Sequence, residues 1–165
     1  MVPKRRRIIA FCLLSILLIA VDQYTKALAR EYLMYEAPRS YLNDMFRLLY
    51  IENTGAFFGM GADIPQPFNF ILLSLLPLIM LGALLFYALK KADVLRTSEQ
   101  IAFAMIFSGG LGNIIDRIAF SSRVTDFLNV GIGSIRTGIF NVADMYVTTG
   151  VLLLLVLSRD WDKKS

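Results

Sequence analysis

The sequence predicts an all-α membrane protein with four transmembrane helices. Hydrophobic residues make up 56% of the 165 residues and charged residues only 18%, and the mean hydropathy is +0.59. A water-soluble domain of this size would not display that balance without aggregating. Four apolar segments close to the ~20 residues needed to cross a bilayer divide the chain at 8–29, 69–89, 101–118 and 140–157. We expect one polytopic membrane domain over residues 1–165, with outer loops at 30–68 and 119–139.

The first apolar segment follows a basic run at residues 4–7. A basic run followed by an apolar one is also typical of a secretory signal peptide, but no A-x-A-like cleavage site follows it, so an uncleaved first span is favoured. Asp22 and Lys26 lie near its outer end and are four residues apart. They therefore share one helix face, with the acid N-terminal to the base, as in a favourable helical ion pair. A mutual salt bridge at the membrane surface is the simplest interpretation of this pair.

The first outer loop, 30–68, has two parts. Residues 45–53, MFRLLYIEN, predict a short strand, and the glycines at 55, 59 and 61 predict tight turns or close approach of the backbone to a bound molecule. Phe57 and Phe58 belong either to an aromatic belt at the membrane interface or to a loop that receives a lipid or peptide. In the second case Asn53 can both donate and accept hydrogen bonds to a substrate backbone.

The remaining spans combine apolar sequence with a few informative polar and small residues. Pro77, in the middle of the second span, predicts a kink that a membrane helix tolerates. Ser108 and Gly112 in the third span fit the small-xxx-small pattern of closely packed membrane helices. The outer end of the third span carries Asn113, Asp116 and Arg117, and the fourth opens with Asn141 and Asp144.

Charge predicts the topology. Four spans put both termini on one side of the membrane, and ten of the 17 Lys and Arg residues lie on that side. The positive-inside rule therefore places both termini in the cytoplasm and both long loops outside, so the polar residues converge near the outer leaflet. Because the basic residues gather at the ends of apolar runs, no nucleic-acid partner is predicted.

The titratable residues point to aspartate chemistry. The chain has no His and a single Cys, so neither a metal site nor another cofactor is expected. Two close carboxyl groups share a proton, and one can then activate water while the other donates a hydrogen bond. The apolar surroundings of Asp126 and Asp144 favour this pair, whereas Asp116, next to Arg117, is favoured as an ionised structural anchor.

Two other classes of function remain open on these grounds. A proton- or ion-coupled transporter would also place several acids in a polar cavity, but it predicts acids at all membrane depths. A structural or assembly factor would tolerate Asp→Asn changes. A Ser–Lys peptidase is disfavoured because Lys26 already lies close to Asp22.

Five blocks of sequence resemble, in order and spacing, those of bacterial lipoprotein signal peptidases (signal peptidase II). They are DQYTK at 22–26, ENTGAFFG at 52–59, GGLGNIIDR at 109–117, VTDF at 124–127 and FNVAD at 140–144. The resemblance implies four transmembrane helices in the bacterial inner membrane, with a small extracytoplasmic β-cradle and a short amphipathic helix. It also implies removal of the signal peptide from diacylated prolipoproteins, immediately before the lipid-bearing cysteine, with membrane lipids as further partners and inhibition by globomycin.

The resemblance also implies roles for individual residues. Asp126 and Asp144 match the catalytic dyad of the family, and Asp116 is a second-rank candidate that otherwise supports the site. The other matching positions contact the substrate or support the site, and Arg117 is expected to donate to peptide carbonyls. These positions are Asp22, Lys26, Asn53, Gly55, Asn113, Arg117 and Asn141.

Overall fold

The computed structural model describes residues 2–55, 61 and 63–162. The chain is mostly helical and contains a small antiparallel sheet. The helices are α1 (Lys4–Tyr32), α2 (Phe68–Lys90), α3 (Thr97–Ala119) and α4 (Val142–Asp162). They coincide with the four predicted segments to within a few residues at each end. Helices α1 to α3 are long and apolar enough to cross a membrane, whereas the apolar part of α4, Val142–Ser158, is shorter.

Helix α3 is the centre of the bundle and packs against the other three helices. Its small residues make this packing possible. A Cβ atom on Gly109 would collide with the backbone carbonyl of Ala143 on α4, and one on Gly112 would collide with the carboxyl group of Asp22 on α1. The predicted packing role of the small residues is therefore confirmed.

Helix α2 accommodates Pro77 through a local change of winding. Residues Ile71–Leu75 form a π-helical turn just before the proline, and α-helical winding resumes at Leu76. Proline lacks the N–H that would continue the ladder of hydrogen bonds, and a π turn is one known response to such an interruption.

Four strands form the sheet in the order β1 (Arg39–Tyr41), β2 (Phe46–Asn53), β3 (Val124–Ile132) and β4 (Ile135–Arg136). Strand β2 confirms the strand predicted at 45–53. It pairs antiparallel with β3, which arises in the second outer loop, and the register sets Ile51 opposite Asp126 and Asn53 opposite Val124. The loop-borne Asn53 and Asp126 are thereby brought together.

Some expectations concern residues or features beyond this description. Phe57, Phe58 and Gly59 lie outside the described residues. Within residues 2–55, 61 and 63–162, no short helix separate from α1 to α4 occurs, so the short amphipathic helix stays a prediction.

Candidate active site

Asp126 is a buried carboxyl group held between two amides. It lies on β3 and is almost completely inaccessible. Asn53 on the neighbouring strand donates to its Oδ2 (2.8 Å), and Asn141 donates to its Oδ1 (2.6 Å). Burial raises the pKa of Asp126 to about 6, although the Asn53 and Asn141 amides act in the opposite direction; the neighbouring Asp144 contributes to the increase. The expected bias towards the neutral form is thus confirmed for this residue.

Asp144 is held by the N-terminus of α4. The Asn141 Oδ1 accepts from the backbone N–H of Asp144 (3.0 Å), and the Asp144 Oδ2 accepts from the backbone N–H of Asn141 (3.1 Å). This reciprocal pair is a capping box in which Asn and Asp take the places of Ser or Thr and Glu. The side chain of Asp144 therefore sits at the positive end of the helix dipole, where a carboxylate is stabilised.

Asn113 on α3 connects the two aspartates. Its Nδ2 donates to Asp144 Oδ1 (2.9 Å), and its Oδ1 accepts from Asn141 Nδ2 (3.1 Å). Since Asn141 also donates to Asp126, an unbroken chain of hydrogen bonds runs from one carboxyl group to the other. Residues from α3, β3 and α4 thus converge at one point.

A buried ionic cluster lies directly behind Asn113. The ammonium group of Lys26 donates to Asn113 Oδ1 (2.9 Å) and is 3.0 Å from Asp22 Oδ2 and 3.5 Å from Asp116 Oδ2. All three charged side chains have 0% exposure. The Asp22–Lys26 ion pair is therefore confirmed, and it lies fully buried in the bundle interior. The Lys26 ammonium can only donate, so it binds the amide oxygen of Asn113 and leaves the amide nitrogen facing Asp144.

Asp22 and Asp116 also accept hydrogen bonds from backbone N–H groups. Asp22 Oδ1 accepts from the backbone N–H of Ala143 (2.9 Å), which ties α1 to the start of α4. Asp116 Oδ2 accepts from the backbone N–H of Thr125 (2.9 Å), which ties α3 to the strand that carries Asp126. Asp116 therefore contacts the site through the backbone, as the expected structural anchor would.

Arg117 and Gly55 meet on the other side of the site. The Nη2 of Arg117 donates to the backbone carbonyl of Gly55 (2.9 Å), and the buried Nε has no hydrogen-bond partner among the described residues. Asn53 Oδ1 accepts from the backbone N–H of Gly55 (2.9 Å), so the residue that binds Asp126 also shapes the beginning of the loop. Arg117 therefore already donates to a peptide carbonyl of its own chain.

The two aspartates open into a cavity of about 530 Å³. Its polar end carries Asn53, Asn113, Arg117, Asp126 and Asp144, and its remaining wall is mostly apolar, with Thr137, Thr148 and Thr149 as further polar lining residues. The apolar wall is formed by residues of α2, α3, α4 and the 137–140 segment, among them Leu73, Pro77, Ile114, Ile139, Phe140 and Val147. A cavity with a few converging polar groups at one end of an apolar channel is typical of a site for an amphiphilic ligand.

The structure brings together the ten residues that the sequence singled out. Seven of them belong to the hydrogen-bonded network around the aspartates or to the cavity wall, whereas Asp22, Lys26 and Asp116 form the ionic cluster behind it. Two further residues were missed. Gln23 Nε2 lies 3.1 Å from Asp116 Oδ1, and Arg30 donates to Thr125 Oγ1 (2.8 Å). Gln23 lies inside the DQYTK block, so its position in sequence was the signal that could have identified it.

Metal ligation has no support in the described part of the chain. Across residues 2–55, 61 and 63–162, no group of three His, Cys, Asp or Glu side chains is placed to hold a metal ion.

Comparison with known proteins gives a consistent result. Residues 14–159 match the family model described as signal peptidase (SPase) II. The chain is 36% identical over 155 residues to the lipoprotein signal peptidase of Francisella tularensis subsp. novicida, covering 94% of each chain. It is 34% identical over 157 residues to that of Borrelia hermsii, covering 92% of this chain and 91% of the relative.

A solved structure is also similar in fold. A bacterial membrane enzyme determined by the in meso method at 2.3 Å resolution superposes with a TM-score of 0.78 at 26% identity. The similarity covers 94% of this chain and 92% of that one.

Proposed function

The chain belongs to the signal peptidase II family and removes signal peptides from prolipoproteins, and we propose that it does so as an aspartyl endopeptidase whose dyad is Asp126 and Asp144. The observation that carries this proposal is the chain of hydrogen bonds from Asp126 through Asn141 and Asn113 to Asp144 at the polar end of the cavity. The charge of Asp144 also raises the pKa of Asp126, so the protonation of one carboxyl group influences the other.

The surroundings of the two acids suggest different roles. Asp126, whose pKa is raised to about 6 by burial, can hold a proton much closer to neutral pH than an ordinary aspartate, and it acts as the acid. Asp144, at the N-terminus of α4 with one backbone donor and one amide donor, acts as the base. A pair of carboxyl groups whose environments separate their tendencies to ionise is the usual basis for such an assignment.

Hydrolysis then proceeds without a covalent intermediate. Asp144 takes a proton from a water molecule as the water oxygen bonds to the scissile carbonyl carbon, and Asp126 donates its proton to the developing oxyanion. When the C–N bond breaks, Asp144 passes its proton to the leaving amine and the hydroxyl proton returns to Asp126. The products are a signal peptide with a new carboxyl terminus and a lipoprotein with a free amino terminus.

The cavity suggests how the substrate is bound. The apolar wall between α2, α3 and α4 suits the acyl chains of a diacylglyceryl cysteine, so cleavage takes place immediately before that cysteine. Asn53, which donates to Asp126, and Arg117, which donates to the peptide carbonyl of Gly55, are the donors for the extended backbone of the substrate. Globomycin, a cyclic peptide, competes for the same cavity.

The proposed function also requires a membrane topology with four spans. The apolar part of α4, Val142–Ser158, is about 25 Å long at ~1.5 Å per residue, close to the shortest apolar helix that crosses a bilayer, and serves as the fourth span. Both termini are then cytoplasmic, and the dyad lies near the outer leaflet, where the lipid-bearing substrate is available. The whole chain acts as one membrane domain.

Processing by the purified protein tests the substrate assignment. A diacylated prolipoprotein should yield two products whose mass spectra place the cut directly before the lipid-bearing cysteine, and globomycin should block the reaction. The same precursor without the lipid is the matched control and should remain uncut. Equal processing of both precursors would contradict the proposed lipid-binding role of the cavity.

A further inference from the structure

The outer half of the sheet, at the end away from Asp126, has one apolar face. Cross-strand partners in an antiparallel sheet share a face, and the register pairs Tyr41 with Phe46, Phe46 with Val130, and Ile132 with Ile135. Val130 and Ile132 are two apart on β3 and also share a face. These five residues therefore form one continuous surface, which we call the apolar sheet face.

This face is the more exposed one. Ile135 is 83% exposed, Ile132 72%, Tyr41 46% and Val130 40%. An antiparallel sheet with one side in water normally presents its polar residues outward and buries the apolar ones, so the arrangement is the reverse of that expected in water.

The opposite face is polar and better buried. It carries the cross-strand pair Arg47 and Asn129, followed by Arg136 opposite Gly131. Asn129 is buried, its Oδ1 accepts from Arg136 Nε, and Arg136 Nη1 donates to the backbone carbonyl of Asp44 (2.7 Å). These polar residues bond to one another and to the backbone, although the buried Nη2 of Arg136 has no partner among the described residues, whereas four of the five apolar residues are exposed.

The apolar sheet face is turned towards the ends of the membrane helices. Because the extra residue of the β2–β3 register lies on β2, between Leu48 and Ile51, β3 alternates regularly, and Asp126 shares a face with Val130 and Ile132. Asp126 accepts from Asn141, which caps the start of α4. On the neighbouring edge, Arg39 lies on the same face as Tyr41 and donates to the backbone carbonyl of Tyr32 at the end of α1.

We propose that the apolar sheet face rests in the lipid leaflet beside the helix bundle and anchors the sheet to the membrane. Near Asp126 the apolar sheet face lies against the ends of the helices. Further along β3 the sheet extends past the helix ends, so the surface beneath this part of the sheet is lipid. Tyr41 and Arg39 at its edge are residue types that suit the interface between acyl chains and headgroups.

A bound prolipoprotein is the rival occupant, and the cavity argues against it. Val130 and Ile132 are about 13 and 20 Å from Asp126 along the strand at ~3.3 Å per residue, and neither contributes to the cavity wall. The proposal depends on the bilayer placement given above for α1 and α4. It does not depend on the assignment of the dyad.

Tryptophan fluorescence in vesicles tests this contact. The chain has one tryptophan, Trp161, which is first replaced by Phe. Ile135→Trp then places a probe on the apolar sheet face, and Ser40→Trp, on the opposite face of β1 in the pair with Arg47, is the matched control. Each variant is reconstituted in phosphatidylethanolamine and phosphatidylglycerol vesicles, with and without phosphatidylcholine brominated along its acyl chains. Ile132→Trp replaces Ile135→Trp if the latter does not fold.

We expect the Ile135→Trp emission to be shifted to the blue and quenched by brominated lipid several-fold more than the Ser40→Trp emission. Equal and weak quenching of both probes would overturn the proposal. Quenching or a blue shift that arises only after a diacylated prolipoprotein is added would also overturn it, in favour of a substrate-docking face. Because no turnover is measured, the result is independent of the dyad and can be repeated in an Asp126→Asn background.

Discussion

Replacing Lys26 with Met should destabilise the protein through charges that remain after the ammonium is gone. The Lys26 Nζ is 3.0 Å from Asp22 Oδ2 and 3.5 Å from Asp116 Oδ2, and all three side chains are fully buried. Methionine fills a similar volume and leaves the two carboxylates without their shared cation. Breaking a buried ion pair from one side costs about 3–5 kcal/mol, chiefly because the remaining charge is left uncompensated.

The structure places Lys26→Met at the lower end of that range. Asp22 retains its hydrogen bond from the backbone N–H of Ala143, and Asp116 retains its bond from Thr125 and the guanidinium of Arg30 at 4.0 Å. We therefore expect a loss of about 3 kcal/mol in the free energy of unfolding. The double variant Asp22→Asn/Lys26→Met removes the carboxylate that has no other cation and leaves Asp116 with Arg30, so it should recover most of that loss.

Unfolding in mixed micelles, followed by circular dichroism, measures both effects. The double variant should fold well yet process prolipoprotein slowly, because Asn113 has lost the donor that orients its amide towards Asp144. The reasoning would be refuted if Lys26→Met were within about 1 kcal/mol of the parent, or if the double variant were as unstable as the single one.

Three further predictions concern the pH dependence, the helix packing and the helix cap. Burial raises the pKa of Asp126 from 3.8 to about 6. Its contribution to the free energy of unfolding is therefore complete below pH ~4 and is lost as the pH rises through ~6, about 3 kcal/mol in all. Asp126→Asn should remove this pH dependence, and a stability difference between parent and variant that is the same at pH 4 and pH 8 would contradict the prediction. Gly109→Ala should destabilise the protein by a few kcal/mol, because the added Cβ collides with the backbone of α4. Gly82→Ala is the control and should be neutral or slightly stabilising, because no described atom lies within 4 Å of its Cβ. Thermal unfolding measures both, and equal effects would show that α3 and α4 are not packed as described. Asn141→Ala should cost about 1–2 kcal/mol in the free energy of unfolding through loss of the cap. Asn141→Asp keeps a capping oxygen and should refold at nearly the parent rate, but both variants lose the amide that donates to Asp126 and Asn113 and should process slowly. Stopped-flow refolding and processing rates measure the two effects separately.

Periodicity and composition predicted the helices well because each is a local feature. The strand at 46–53 also follows from its residues, whereas at Pro77 only a kink was predicted and the π turn that precedes it was not. Strand β3 was not predicted, because its pairing with β2 joins residues more than 70 positions apart and is invisible to a local pattern.

The site shows the same division. The four-residue spacing of Asp22 and Lys26 predicted their ion pair, but not its burial, which depends on the close approach of α3 at Gly112. Asp116 was expected to be an ionised structural anchor because Arg117 follows it directly. Adjacent residues on a helix point about 100° apart, so Asp116 faces α1 while Arg117 faces Gly55.

The hydrogen bonds that link the two aspartates fall into two groups, one that the sequence predicts and one that only the fold reveals. The capping box of Asn141 and Asp144 is written in the sequence as a polar residue followed three positions later by an acid at a helix start. Asn113 joins this box to α3 through side-chain contacts alone, and only the assembled bundle reveals them.

The rate of prolipoprotein processing by Asp→Asn variants tests the proposed dyad most directly. Asp126→Asn and Asp144→Asn should each lower the rate by about a hundredfold or more, the usual contribution of a positioned acid or base, while the fold is retained by circular dichroism. Asp93→Asn, which changes an exposed acid at the opposite end of the bundle, should process at the parent rate. Full activity in a folded Asp126→Asn or Asp144→Asn protein would contradict the dyad and direct attention to Asp116.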